Sequence, residues 1–477
     1  MKFYKILLLL FLSSSFAIVS YAQINKDEIF NTVKFLADKD LQGRLPGSPG
    51  FIKAADYMAS EFKRLKLKPA GDNNYFQKLK VEYNEILAPE HLSVIIDNNL
   101  IEYKIGKDYV FRGFTGSGKL KAPVVFCGYG IDQQENGLND YNGIDVKGKI
   151  VMVFRYNPKW NINGKPFTNG NPREKAIVAA KHGAVGILFV SFPNDAYPQK
   201  PIGSLIHGEG DQMPGFPEAH VALNVADTLF TGSGHSLKEL QTLIDSTKTP
   251  FPLALKNDVD IEVHTRYVKE KEVMNVVGIL EGSDPVLKNE YLIMGAHLDH
   301  VGSQAGEIYF PGANDNASGD AAVLQIARTL AESDIKLKRS VIFVFFVSEE
   351  QGLNGSKYFA EHLPFPKDKI TAMLNFDCVG FGDSLQVYGG KSSPDLWNMA
   401  KQADSENDKL LVSETGNGGG ADAEPFFQKG IPTLYFVTTN SYKHLHQLTD
   451  TPETINQNLL ESSTKLGYYT ALKILNK

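Results

Sequence analysis

Cysteine, dense basic clusters and long apolar runs are all scarce in this chain, and each scarcity excludes something. Cys127 and Cys378 are the two cysteines among 477 residues. Far apart and in separate expected domains, they form no disulfide framework and read as free, buried thiols, although export would permit a bridge. Lysine and arginine are nowhere dense and the formal net charge is −6, so no nucleic-acid partner is expected. The N-terminal apolar run, Ile6 to Val19, is short and broken by serines, which argues against a membrane span. No cysteine follows it to carry a lipid.

That run reads instead as an export signal. Lys2 and Lys5 precede it, and Ser20-Tyr21-Ala22 supplies small residues at the positions a signal peptidase reads. Residues 1–22 are therefore expected to be cleaved away, leaving a secreted or periplasmic protein with no membrane partner. The composition is that of an ordinary globular protein, 42% hydrophobic and 22% charged. Its length calls for two or more domains.

Lys26 to Lys39 and Phe51 to Leu65 carry apolar residues at helical spacing, either side of the Gly- and Pro-rich loop Leu41 to Gly50. From about Glu90 to Val263 the texture changes to short strands and turns, with one helix candidate at Glu174 to His182 giving a local β-α-β unit. Gly113 to Lys119 resembles a phosphate-binding loop but lacks the final Ser or Thr, having Leu120 there, and it leads into a strand. It reads as a glycine-rich turn. His182, His207, His220 and His235 lack metal-ligand spacing. From Lys271 onward strands and helices alternate to the end, which predicts a mainly parallel sheet covered by helices on both faces.

Within that last part, each apolar run ends in an acid or a histidine. Tyr291 to Ala296 leads into His297-Leu-Asp299, Ser340 to Val347 into Ser348-Glu349-Glu350, and Ala372 to Phe376 into Asp377. Asn314-Asp315-Asn316 opens a helix between the first two, and His446 lies in a later loop. Each has a plain structural reading. Ser348 to Gln351 fits a capping box, Asp315 and Ser318 fit N-caps, and Asp377 could merely end its strand. Taken together they fall at the carboxyl edge of one sheet, where ligands bind in such folds. Two histidines and three carboxylates suit two zinc ions bridged by one carboxylate, with one acid left as a general base.

These stretches resemble the di-zinc aminopeptidase family that also includes glutamate carboxypeptidase and the non-catalytic transferrin receptor. The matching segments are Gly295 to Gly302, Gly312 to Gly319, Ser348 to Ser356, Asn375-Phe-Asp377 and His446 to Pro452, and the likeness extends to Leu41 to Gly47. Asp145 to Val151 and Lys175 to Gly186 look like an inserted protease-associated domain. The resemblance implies a mixed, mainly parallel sheet sandwiched by helices, with a β-rich insert. Residues 23–89 and 264–477 would form the peptidase domain and 90–263 the insert. It further implies His297 and Asp377 on one zinc, Glu350 and His446 on the other, Asp315 bridging, and Glu349 as the base. Asp299 would hold His297 through its second ring nitrogen, and the Asp315–Asn316 peptide would be cis. Peptides are the implied substrates; oligomeric state is left open. Two positions depart from the family pattern: Leu445 stands where an aromatic residue is common, and Gly420-Ala421-Asp422-Ala423 where Ser-Asp-His is common. A carboxypeptidase or dipeptidase would need a basic cluster, and Arg266, Arg328 and Arg339 are dispersed. A glutaminyl cyclase would use one zinc, and a receptor-like homologue none.

If the signal reading holds, mass spectrometry of the exported protein will show a chain beginning at Gln23. A chain retaining residues 1–22 would refute it.

Overall fold

The computed structural model describes residues 23–162, 164–167, 170–440 and 442–477. The expected signal peptide lies outside them. The chain begins with α1 (Lys26–Leu36), capped by the Asn25 side chain, and α2 (Pro49–Arg64), capped by Ser48. A long strand follows, β1 (Phe76–Ile96), and then β2 (Tyr109–Phe111), β3 (Gly118–Phe126), β4 (Ile150–Phe154), α3 (Pro172–Lys181), β5 (Gly186–Val190) and β6 (Glu218–Val221). After α4 (Leu223–Phe230) and α5 (Leu237–Thr247) the chain returns along a second long strand, β7 (Leu253–Leu280). The remainder is β8 (Tyr291–His297), α6 (Ser318–Glu332), β9 (Ser340–Phe346), α7 (Asn354–Glu361), β10 (Ile370–Phe376), β11 (Leu385–Tyr388), α8 (Pro394–Ser405), β12 (Thr433–Thr438) and α9 (Gln457–Asn476).

The strands order as β11-β12-β10-β8-β9-β7, and the sheet continues through β7 into β3-β4-β5-β6-β2. Strands β12, β10, β8 and β9 are parallel, flanked by antiparallel β11 and β7. This is the mixed, mainly parallel architecture the alternation predicts. Every residue of β8 and β9 is buried, as expected of parallel strands covered on both faces. One face packs against α1, α2, α6, α8 and α9, where Phe62 stacks on Phe345 at 5.4 Å between centroids. The other carries α7 and Phe426 against Phe346. Because β9 and β10 lie on opposite sides of β8, the sheet has its switch point at the carboxyl end of β8, the position where open α/β sheets bind ligands.

Strands β1 and β7 pair antiparallel over most of their length. The near end of β7, Val276 to Leu280, pairs with β9, and its far end pairs with β3. The two expected domain boundaries, 89/90 and 263/264, both fall inside this ribbon, which is common to the two lobes. In the inserted lobe, β3, β4, β5 and β6 are parallel. Gly113 to Lys119 is indeed a turn feeding β3. Both cysteines are free; Cys127 is buried, and Cys378 only partly so.

The insert buries a pair of titratable groups. Asp140 accepts the Tyr129 and Ile131 N–H groups at 3.1 and 2.9 Å, and Lys175 donates to the Phe154 and Tyr156 carbonyls at 3.0 and 2.9 Å. Burial pushes the Asp140 carboxyl up to about 7 and the Lys175 ammonium down to about 7. Between about pH 4 and 7 the native state holds the Asp140 proton more tightly than the unfolded chain, so stability falls as pH rises. Between about 7 and 10.4 the native state binds fewer protons at Lys175, so stability rises. Denaturation midpoints measured from pH 4 to 10 should show that minimum, and Lys175→Met should flatten the alkaline limb while extending the acid limb upward, because the Lys175 charge helps hold the Asp140 carboxyl down.

Candidate metal centre and active site

His297 ends β8, and the chain then bends away through Leu298 to Gly302. Arg44, from the loop before α2, pins that bend. Its fully buried guanidinium donates to the carbonyls of Leu36 at 2.5 Å, Leu298 at 2.8 Å, Pro311 at 2.8 Å and Gly312 at 3.0 Å. One side chain therefore fixes both the loop after His297 and the loop that carries Asp315.

The Asp315 loop uses nearly every residue of its motif. The Asp450 carboxylate accepts the N–H groups of Asn314 and Asp315 at 2.8 and 3.1 Å. Asn314 accepts from Gly380 N–H, and Asn316 donates to the Phe376 carbonyl while accepting from Gly319 N–H. The Ser318 hydroxyl donates to the Asn314 carbonyl and accepts the Val379 N–H. These bonds lock Asp315 against the end of β10, where Asp377 sits. Helix α6 has no side-chain cap, so Asp315 and Ser318 are not N-caps. A Cβ on Gly319 would lie 2.3 Å from the Phe376 carbonyl, so only glycine fits there. The Asp315–Asn316 peptide is cis.

Beyond β9, Ser348 takes φ +59° and α7 starts only at Asn354. The capping-box reading of Ser348 to Gln351 therefore fails, and these residues form a turn that delivers both glutamates. The Glu349 N–H donates to Asp299 Oδ1 at 3.1 Å. His297 Nδ1 lies 3.2 Å from the Asp299 backbone carbonyl and 3.9 Å from its carboxylate. Asp299 thus holds the histidine through its main chain, and its carboxylate holds the turn of Glu349.

The side chains converge in two groups that share Asp315. His297 Nε2 lies 3.4 Å from Asp315 Oδ1 and 3.6 Å from Asp377 Oδ1. His446 Nε2 lies 3.2 Å from Asp315 Oδ2 and 3.0 Å from Glu350 Oε2. The two oxygens of one carboxylate face two different histidines, as a bridging ligand requires, and Asp377 Oδ1 is buried without a hydrogen-bond partner. Nitrogen and oxygen donors in this arrangement could hold divalent cations. The second group also contains His300, whose Nδ1 lies 3.0 Å from Glu350 Oε1. The sequence reading passed over His300, because a histidine three residues past another in a loop carries no signal of its own. Among the described residues, His182, His207, His220 and His235 join no such group.

Charge follows the geometry. Burial raises Asp315, but hydrogen bonds from His297 and His446 outweigh it and hold the carboxyl well below its usual range. Burial likewise opposes Glu350, which His446 draws down to about 2. Glu349, buried and close to other carboxylates, stands well above the usual value. Burial lifts Asp299 and Asp422 to about 7. Asp422, from the segment that departs from the family pattern, is fully buried within electrostatic reach of His297.

The insert touches this centre. The Gly203 N–H donates to the His446 carbonyl at 2.8 Å, and a Cβ at Gly203 would press on Val301 and Phe310. Arg112 and His220 anchor the same loop through the Ile202 carbonyl and N–H.

Fold and site together define an α/β metallopeptidase architecture with an inserted lobe. Residues 275–471 match the model of peptidase family M28, and residues 120–229 match that of the PA domain. The solved aminopeptidase from Aneurinibacillus sp. strain AM-1 superposes with a TM-score of 0.65 at 21% identity, covering 94% of this chain and 93% of that one. The zinc aminopeptidase BSAP of Bacillus subtilis gives 0.64 at 20%, with 96% of each covered. Among curated relatives, a glutamate carboxypeptidase 2 homolog of Caenorhabditis elegans is 24% identical over 71% of this chain and 52% of its own length. A probable leucine aminopeptidase 2 of Aspergillus oryzae is 32% identical over 61% of this chain and 51% of its own. The chain spans about half the length of these curated relatives.

Arg44 offers a direct test of how the centre is held. Arg44→Met leaves the buried Leu36, Leu298 and Pro311 carbonyls without a donor and should lower stability by about 3 kcal/mol in urea unfolding. Arg44→Lys should restore little, because an ammonium cannot reproduce the planar fork.

Proposed function

We propose that this protein is an exported, zinc-dependent exopeptidase, most simply an aminopeptidase that removes N-terminal residues from peptides. The observation that carries the reading is the shared Asp315 carboxylate, with a histidine and an acid on either side and Glu349 beside them in neither group. His297, Asp315 and Asp377 would hold one zinc ion, and Asp315, Glu350 and His446 the other. When bound, such ions supply Lewis acidity toward the scissile carbonyl and make a nearby water more acidic.

The remaining work falls to side chains. Glu349, raised by burial, takes a proton from the attacking water and returns it to the leaving amine. Asp299 keeps Glu349 in register by accepting its N–H. The concentration of carboxylates around the centre favours a positively charged N-terminus over a carboxylate. The arginines weighed as a carboxylate grip are each engaged elsewhere: Arg266 by Glu85, Arg328 by Glu61 and Arg339 by Glu290. The PA-domain loop against His446 supports a cleft that admits chain ends.

Glu349→Gln should lower turnover of aminoacyl reporter substrates by roughly 10³-fold, within the range of general-base catalysis, with zinc content near that of the parent. Loss of zinc from that variant would move Glu349 into the ligand set. Preference for carboxyl-terminal reporters would replace the aminopeptidase reading.

A further inference from the structure

His300 is wholly buried, sits in direct contact with the centre, and has no role in the mechanism above. Its backbone N–H donates to the Arg44 carbonyl at 3.3 Å. Its ring lies against Gly312, where a Cβ would come within 2.6 Å of two ring carbons, so the absence of a side chain at 312 makes the space for it. Nδ1 points at Glu350 Oε1, 3.0 Å away, and stands 3.8 Å from Asp315 Oδ2. Nε2 is buried without a hydrogen-bond partner.

The two oxygens of Glu350 have different neighbours. Oε2 faces His446 Nε2, while Oε1 faces His300. A carboxylate only accepts, so the proton between Oε1 and the imidazole sits on Nδ1.

We infer that His300 is a positioning residue that ties up Glu350 Oε1, so that Glu350 meets its metal ion through Oε2 alone. The inference rests on the metal assignment proposed above. Three protein ligands on each side, His297, Asp315 and Asp377 against Asp315, Glu350 and His446, leave an open position, as catalytic sites require. His300 as a fourth ligand would close the second one. As a donor to Oε1 it keeps that position open and prevents Glu350 from turning bidentate.

Metal titration of the whole protein, His300→Phe and His300→Asn tests this. Phenylalanine keeps the ring and loses the donor; asparagine places an amide N–H near the position of Nδ1. Zinc binding at one of two sites should weaken about 10–100-fold in His300→Phe, the other site should stay as in the parent, and His300→Asn should recover most of the loss. Parent-like affinity at both sites in a folded His300→Phe overturns the inference, as does failure of asparagine to rescue. A parent that binds fewer than two zinc ions would instead overturn the metal assignment. Should the phenylalanine variant not fold, the zinc-loaded parent structure decides: Nδ1 near 3 Å from Glu350 Oε1 supports the inference, and Nδ1 at about 2.0–2.1 Å from zinc overturns it.

Discussion

Gathering acids out of water is the constraint on which this structure turns. Asp299, Asp315, Glu349, Glu350, Asp377 and Asp422 crowd around the ends of β8, β9 and β10, and most of them are buried. Like charges in such a place are costly unless protons, cations or fixed donors offset them. The fold supplies donors in quantity. Backbone N–H groups reach Asp450 and Asp299, imidazoles reach Asp315 and Glu350, and the Arg44 guanidinium lies directly behind. What remains without a donor at the centre is Asp377 Oδ1, and beside it the Glu349 carboxyl is raised by burial. The protein core is built so that its least comfortable charges share one small volume.

Much of this was legible in the sequence. Strands β8, β9 and β10 are unbroken apolar runs ended by His297, the Glu349 turn and Asp377, and a run of that kind has few alternatives to a buried parallel strand. The same pattern pointed to His297, Asp315, Glu350, Asp377 and His446, which the fold brings together. Local rules were weaker where two motifs look alike. Ser348 to Gln351 spells a capping box, yet the positive φ at Ser348 turns the chain before any helix begins. Nothing near Arg44 in the sequence reveals that it serves the Leu298 carbonyl 254 positions away. Asp450 lies within the His446 to Pro452 segment, but its task of holding the Asp315 loop depends on tertiary contact.

The ribbon was the larger omission. In β1, Leu79, Val81 and Tyr83 alternate with polar residues and are buried, so a signal was present there. Residues 268–272 of β7, Val-Lys-Glu-Lys-Glu, show no buried face. A stretch solvated on both sides has no hydrophobic period to read, and the strand is visible only through its partner.

That ribbon works as a ruler. Pairing between β1 and β7 is interrupted by register shifts between Glu262 and His264 and between Val268 and Lys271. Bulges of this kind fix where strands can and cannot slide. A slip by one residue would advance the PA lobe by about 3.3 Å and turn its inward side chains outward. Gly203 would then miss the His446 carbonyl altogether. The spacing between the Gly203 loop and the His446 loop is thus written in the pairing of two strands, one of which places Tyr83 in the same apolar cluster as Leu205 and Leu448.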